Sequence, residues 1–212
     1  CQIFPYTPTT NRHTLLNEIK EAIHQELSSR LEPPILGIGI SLPSPYDRNS
    51  SLGFIDELTG WEDIDICQEI HDSFHIPVYA ENDANIGALC GWWSDKSITD
   101  QDTLVYITVA EGTGAGIISQ GLLLRGTQGV AGEIGHMSVN LDGPLCKCGN
   151  RGCLELYTST NILLKHAQEK IADGVPSSLP LHCTKEDLFQ AILNGDSLAV
   201  SLFQDALRYL GA

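Results

Sequence analysis

Apolar positions along the chain switch between two periods. Between residues 12 and 31, Leu15, Leu16, Ile19, Ile23 and Leu27 recur every three or four places, the spacing of one helix face. Pro33 and Pro34 end that helix. Ile35-Leu36-Gly37-Ile38-Gly39-Ile40 is a short apolar run ahead of a Pro43/Pro45 turn, which reads as a buried strand. Helical spacing returns over 62–75 and stops at Pro77, and Val78-Tyr79-Ala80 follows as a short strand. Asn82, Asp83 and Asn85 supply N-capping side chains for a helix carrying Ile86, Ala88, Leu89, Trp92 and Trp93. After the polar stretch 94–102, Leu104-Val105-Tyr106-Ile107-Thr108-Val109 is a strong strand, and Gly116-Ile117-Ile118 returns across a glycine-rich turn. From about Thr158 the pattern is helical, with Thr184 and Asp187 spaced as a capping box.

Strands alternating with helices imply an α/β fold, and the polar stretch places a boundary in 94–103, giving domains 1–98 and 99–212. A chain of 212 residues is long enough to bury a sizeable core. No apolar run reaches the roughly 18–20 residues that span a bilayer, and no basic stretch followed by an apolar one marks a secretory leader. The chain opens on Cys1 and closes on Ala212 within a helical pattern. The expectation is a fragment truncated at both ends.

Charge narrows the partners. Twelve Lys and Arg against 27 Asp and Glu give a formal net charge of −15, and gripping a phosphate backbone needs clustered cations. This segment is not expected to hold DNA or RNA itself. Of seven cysteines, Cys146, Cys148 and Cys153 fall within eight residues, while Cys1, Cys67, Cys90 and Cys183 are isolated. Cys67 and Cys90 lie in apolar-periodic stretches and read as core thiols. Clustered thiols beside scattered single ones fit a reducing, cytoplasmic compartment better than a disulfide framework.

The clustered thiols have the spacing C-x-C-x4-C, with His136 ten residues before the first of them. The glycines in CKCGNRGC let a tight loop turn its thiolates inward. Three thiolates and one imidazole make a closed tetrahedral set that suits a structural zinc, with no open position for catalysis. A histidine and a lone C-x-C fit an iron–sulfur cluster poorly, and four workable ligands seldom coincide as unrelated core thiols. Two carboxylates bracket the cluster. Glu133 shares a face with His136 if that segment makes a helical turn, and Glu155 lies two residues beyond Cys153. Ligation fixes one imidazole nitrogen and leaves the other for a second partner. With two carboxylates nearby, that arrangement suits a polyhydroxylated ligand such as a sugar, although each Glu reads equally well as a solvated surface acid.

The segment GEIGHMSVNLDGPLCKCGNRGCLE (132–155), together with ENDAN (81–85), resembles the ROK family of sugar-responsive repressors and sugar kinases. Every position of that family's histidine–cysteine cluster is filled. The resemblance covers nearly the whole chain as the central part of a ROK domain, without the opening phosphate-binding hairpin or the C-terminal end. It implies an actin-like, hexokinase-like (ribonuclease H-like) α/β fold of two lobes with a sugar in the cleft between them. It implies Zn2+ on His136, Cys146, Cys148 and Cys153. It also implies that Asn82, Asp83, Glu133, His136 and Glu155 contact sugar hydroxyls.

The family holds both enzymes and regulators, and one turn bears on the difference. Its kinases typically carry a V-G-T-G-x-G-G-G-like turn whose amides and threonine hydroxyl face the phosphates. Here the turn reads Val109-Ala110-Glu111-Gly112-Thr113-Gly114-Ala115-Gly116, with Glu111 in the place of the threonine. A carboxylate repels a polyphosphate unless a cation intervenes. Asp83 would be the general base of a kinase, yet a regulator can keep it as a hydroxyl acceptor. Glu111, AGEIGHM and CLELYTS look more like the family's repressors. The expectation is the effector-binding domain of a sugar-responsive regulator, reaching DNA only through a helix-turn-helix ahead of Cys1 and acting as a homodimer or larger homo-oligomer. The alternatives are an ATP-dependent kinase of glucose, fructose or an N-acetylhexosamine, with ATP and Mg2+ as cofactors, and a zinc-stabilised sugar-binding module with neither activity.

Overall fold

The computed structural model describes residues 11–29, 34–43, 46–47, 52–53 and 64–211. Cys1, Pro33, Pro45 and the outer ends of two expected helices, at 30–31 and 62–63, lie outside them. By packing, the chain divides into two compact units: residues 1–104 with 117–131, and residues 105–116 with 132–212.

In the first unit, α1 (Arg12–Ser29) and α2 (Ile66–Phe74) flank a parallel pair of strands, β1 (Ile38–Leu42) and β4 (Val78–Asn82). A two-residue antiparallel pair, β2 (Tyr46–Asp47) and β3 (Leu52–Gly53), lies between them in sequence. Leu15 and Leu16 of α1 meet Ile66 and Ile70 of α2, and Ile38, Ile40, Cys67 and Val78 pack against that cluster. Ile70 is 1% exposed, so truncating it to Ala would cost about 2–5 kcal/mol. The strand starts at Ile38, three residues later than the apolar run suggests. Its partner begins only after Pro77, whose carbonyl accepts the Ile38 N–H at 2.8 Å. Asp65 caps α2 by accepting the Gln68 N–H, and His75 ends the helix at φ 55°.

The register Ile38↔Val78 through Leu42↔Asn82 brings β4 to its carboxyl end at Asn82, where α3 (Asp83–Ser94) begins. The carboxyl ends of parallel strands are where α/β folds place their ligands. Asn82 is the cap, accepting the Asn85 N–H at 3.2 Å. The buried face of α3 is Ala84, Asn85 and Ala88. Cys90 is exposed, which corrects its reading as a core thiol: two residues past Ala88 is over half a helical turn, on the opposite face.

A three-stranded sheet has the order β5 (Thr103–Val109), β6 (Thr113–Ser119), β7 (Leu122–Leu123). The β6–β7 hairpin turns through Gln120 and Gly121, both at positive φ (52° and 72°), the pattern of a tight primed turn. The sequence reading had only Gly116–Ile118 as the returning strand. The turn end of the β5–β6 hairpin packs with the second unit, and the segment from Ile117 to Ala131 with the first.

Beyond a loop at 132–154, the second unit has four α-helices among the described residues: α4 (Glu155–Thr158), α5 (Thr160–Ala172), α6 (Lys185–Leu193) and α7 (Ser197–Leu210). Leu163, Ala167, Leu179, Cys183, Leu188, Ala191, Ala199 and Ala206 form its core. Small residues on α5, α6 and α7 let these helices approach closely. The capping box on α6 is present, with the Thr184 side chain and the Asp187 side chain each bonded to the other's backbone N–H. Among the described residues no helix is long and apolar enough to cross a membrane.

Candidate functional site

The four expected metal ligands converge. His136 closes a single 3-10 turn, Ile134–His136, so Glu133 and His136 do share a face. The loop then returns on itself. Ser138 bridges Cys153, Leu145 bridges Arg151, and the Ser138 hydroxyl donates to the Arg151 carbonyl at 2.6 Å. Gly152 is at φ 61°, and a Cβ there would strike the Asn140 carbonyl, so the chain crosses itself only with glycine at that position. Below the loop the Asn140 amide donates to the Tyr157 hydroxyl at 3.1 Å, and Tyr157 stacks on Tyr209 of α7.

One donor atom each from His136, Cys146, Cys148 and Cys153 lies within 4.8 Å of the others. Cys146 Sγ is 3.6 Å from His136 Nδ1, and Cys148 Sγ is 3.6 Å from Cys153 Sγ. Zinc–sulfur bonds of about 2.3 Å in a tetrahedron require sulfur–sulfur and sulfur–nitrogen separations of roughly 3.6–3.8 Å. The spacing and the donor chemistry therefore fit a tetrahedral metal. Burial pushes the Cys153 thiol up to about 12, with Cys146 and Cys148 adding to the rise, whereas the Asn150 N–H holds Cys148 low. Without a cation the cluster keeps its inner proton.

His136 offers its two nitrogens to different neighbours. While Nδ1 faces the thiols, Nε2 lies 4.0 Å from the Glu133 carboxylate. Glu133 and His136 are both partly exposed, with side chains at 30% and 28%. Glu155 opens α4 and is half-buried. These three acid and imidazole groups belong to the second unit. Asn82 and Asp83 belong to the first. There the Asn82 amide donates to Asp83 Oδ1 at 3.1 Å, and the same oxygen accepts the Ala84 N–H at 2.7 Å. Asp83 is exposed at the start of a 12-residue helix, where the helix dipole favours its carboxylate.

Sequence reasoning passed over the group behind Asp83. Glu81, 6% exposed, accepts from the Asn85 amide at 3.0 Å, from Arg125 Nε at 2.7 Å and from the Asn82 N–H at 3.1 Å. A buried carboxylate needs such a set of donors, and Glu81 inside ENDAN was the available signal. Arg125 gave none. The remaining oxygen of Asn85 is buried with no hydrogen-bond partner. An open cavity of 260 Å³ in the first unit is lined by Asp65, Cys67, Gln68, His71, Pro77, Val78 and Tyr79. It contains none of the expected sugar contacts.

The glycine turn is not as the sequence suggests in one respect. Glu111 is not a bare charge: Lys185 Nζ, at the start of α6, donates to its carboxylate at 2.7 Å. That bond holds the Glu111 carboxyl below the usual range and raises the Lys185 ammonium. Both side chains are half exposed, so the pair is solvent-screened and individually weak. It nevertheless cancels part of the repulsion that Glu111 alone would exert on a phosphate. Lys185 lies 74 residues away, with no local pattern to announce it.

The ROK family's sequence pattern matches residues 1–212. The chain is 37% identical over 155 residues to the xylose repressor of Bacillus subtilis (strain 168), covering 71% of this chain and 39% of that protein. Its structure superposes on a ROK family transcriptional regulator, a homologue of the Escherichia coli MLC protein, with TM-score 0.77 and 31% identity, over 94% of this chain and 50% of that one. It superposes equally on a ROK family glucokinase from Streptomyces griseus in complex with glucose and AMPPNP, with TM-score 0.79 and 27% identity, over 98% of this chain and 67% of that one. The chain thus spans between about two fifths and two thirds of the length of these proteins. With its α/β, actin-like and hexokinase-like fold, the chain belongs to the ROK family.

Proposed function

We propose that this chain is the effector-binding part of a ROK transcriptional regulator. It binds a monosaccharide or a simple derivative, and occupancy biases a DNA-binding segment outside it. Asn82, Asp83, Glu133, His136 and Glu155 accept from and donate to the sugar hydroxyls. His136, Cys146, Cys148 and Cys153 hold a structural Zn2+, which cross-links the loop between Glu133 and Glu155 and so fixes where those acids stand. The protein works in the cytoplasm as a homodimer or larger homo-oligomer, as palindromic operators require.

The observation that carries the regulator reading is Glu111. In the turn where the family's kinases present a hydroxyl and amides to phosphates, this chain presents a carboxylate already bonded to Lys185. A nucleotide must break that pair and then face the acid. Similarity to a protein named xylose repressor supports the same side. The kinase alternative rests on one specific observation, the likeness to a glucokinase structure holding glucose and AMPPNP. In that reading Asp83 takes the proton from the attacking hydroxyl, with ATP and Mg2+ as cofactors.

Calorimetric titration with xylose, glucose, their deoxy analogues and N-acetylhexosamines tests sugar binding. One sugar is expected to bind, and Glu133→Gln and Glu155→Gln each to weaken it by about 1–3 kcal/mol, the cost of an imperfectly paired buried polar group. Unchanged affinity in both variants would place the ligand elsewhere.

A further inference from the structure

The glycine turn also contacts Glu155. The Thr113 N–H donates to Glu155 Oε2 at 3.3 Å. The Thr113 hydroxyl is 2.8 Å from that of Thr158, one helical turn beyond Glu155, and the Thr158 hydroxyl also donates to the Leu154 carbonyl. The Thr160 N–H closes the other side on the Ala110 carbonyl at 2.8 Å. Turn and helix start are therefore fastened at three points, and one of them is the carboxylate itself. A Cβ built at Gly112 would stand 3.0 Å from Glu155 Oε2, with no backbone atom outside residues 111–113 within 4 Å, and the φ of Gly112 is not in the left-handed region. Glycine is needed there for the carboxylate, not for the backbone.

We infer that Gly112 and Thr113 are positioning residues of the sugar site, acting through Glu155: in this chain the turn places a sugar-binding acid instead of cradling a phosphate. This rests on the reading of Glu155 as a sugar contact. The physical argument is one of what yields. An alanine methyl at position 112 meets only the far end of a flexible side chain, so the carboxylate moves and the fold does not. Thr113 is 6% exposed, and its N–H is the donor that holds the oxygen toward the turn. A hydrogen bond to a charged group is among the stronger ones, and a carboxylate displaced by a few tenths of an ångström no longer matches a rigid ring of hydroxyls.

The test uses the full-length protein, with the tightest sugar of the calorimetric panel as probe. Gly112→Ala is expected to weaken that sugar by about tenfold, the loss of one charge-assisted hydrogen bond, with zinc content and melting temperature unchanged. In a Glu155→Gln background, Gly112→Ala is expected to add little, because both changes act through one group. Two results would overturn the inference: Gly112→Ala binding normally while Glu155→Gln weakens binding, or the two losses multiplying in full. If the wild-type protein binds no monosaccharide, the reading beneath the inference fails first and takes it down, and that outcome is distinct from both.

Discussion

Two segments bear on Glu155, and they do so by different means. The cysteine loop reaches it along the chain, since Cys153 is two residues away, and it is closed by four donors within 4.8 Å of one another. The glycine turn reaches it across 42 residues of sequence through a single N–H at 3.3 Å. The loop offers a few residues that a single cation can cross-link, and metal affinity in such sites is itself folding free energy, of order 10–16 kcal/mol. The turn relies on separate bonds worth roughly 1–2 kcal/mol each. Damage to the loop should appear as lost stability, and damage to the turn as lost affinity in a protein that still folds.

The largest effect expected follows from breaking the loop. Cys148→Ser should remove most of the bound zinc and lower stability by about 3 kcal/mol or more, a melting shift on the order of 10 °C for a chain of this size. Sugar affinity should fall with it, because Glu133 and Glu155 flank the loop. Metal analysis and thermal melts read both quantities together. A variant that keeps its zinc, or loses it with an unchanged melt, would erase the contrast with the turn.

A smaller effect tests whether stability in the second unit is carried apart from the loop. Asp196 caps α7 by accepting the Ala199 N–H, and it also accepts from the Ser178 N–H and hydroxyl and the Ser177 hydroxyl. The Ala199 N–H foremost, then Ser178, pull its carboxyl down to about 2 from an ordinary 3.8. The folded value is the lower one, so the unfolded chain binds more protons in between. This stability is fully present above about pH 4 and is lost as pH falls toward 2. Discounted for solvent screening, it is about 1–2 kcal/mol. Urea unfolding should show Asp196→Asn weaker than wild type by that amount at neutral pH, with the gap closing below pH 4. A gap independent of pH would mean that the cap acts through shape alone.

The smallest effect is at the tip of the turn. Glu111→Thr removes a carboxylate and releases Lys185. At a half-exposed site the change should raise nucleotide affinity by no more than about fivefold, under 1 kcal/mol. A fluorescent ATP analogue titrated into both proteins measures it, and a decrease would reverse the charge argument.

How far each region could be read from the sequence follows the same division. The convergence of the cysteine loop was legible because its information is local: one histidine and three cysteines at short spacing, with glycines where the chain must reverse. The capping box at Thr184 and the cap at Asn82 were legible for the same reason, as side chains meeting N–H groups three residues on. Cys90 was misread because α3 has apolar residues all round, so periodicity did not say which face is buried. Lys185 and Arg125 were invisible, because an ion pair across 74 or 44 residues leaves no mark in any window of sequence. The role of Gly112 was hidden by its setting, since a glycine in a glycine-rich turn looks like every other.

The central claim is that the protein senses a sugar without modifying it, and steady-state turnover by the intact protein tests it most directly. Incubated with ATP, Mg2+ and the hexoses, pentoses and N-acetylhexosamines of the binding panel, the protein should form no sugar phosphate above background while still binding its sugar. Phosphorylation of any of them at about 1 s⁻¹ or faster, as in ordinary kinases, would contradict the account and make Asp83 a catalytic base.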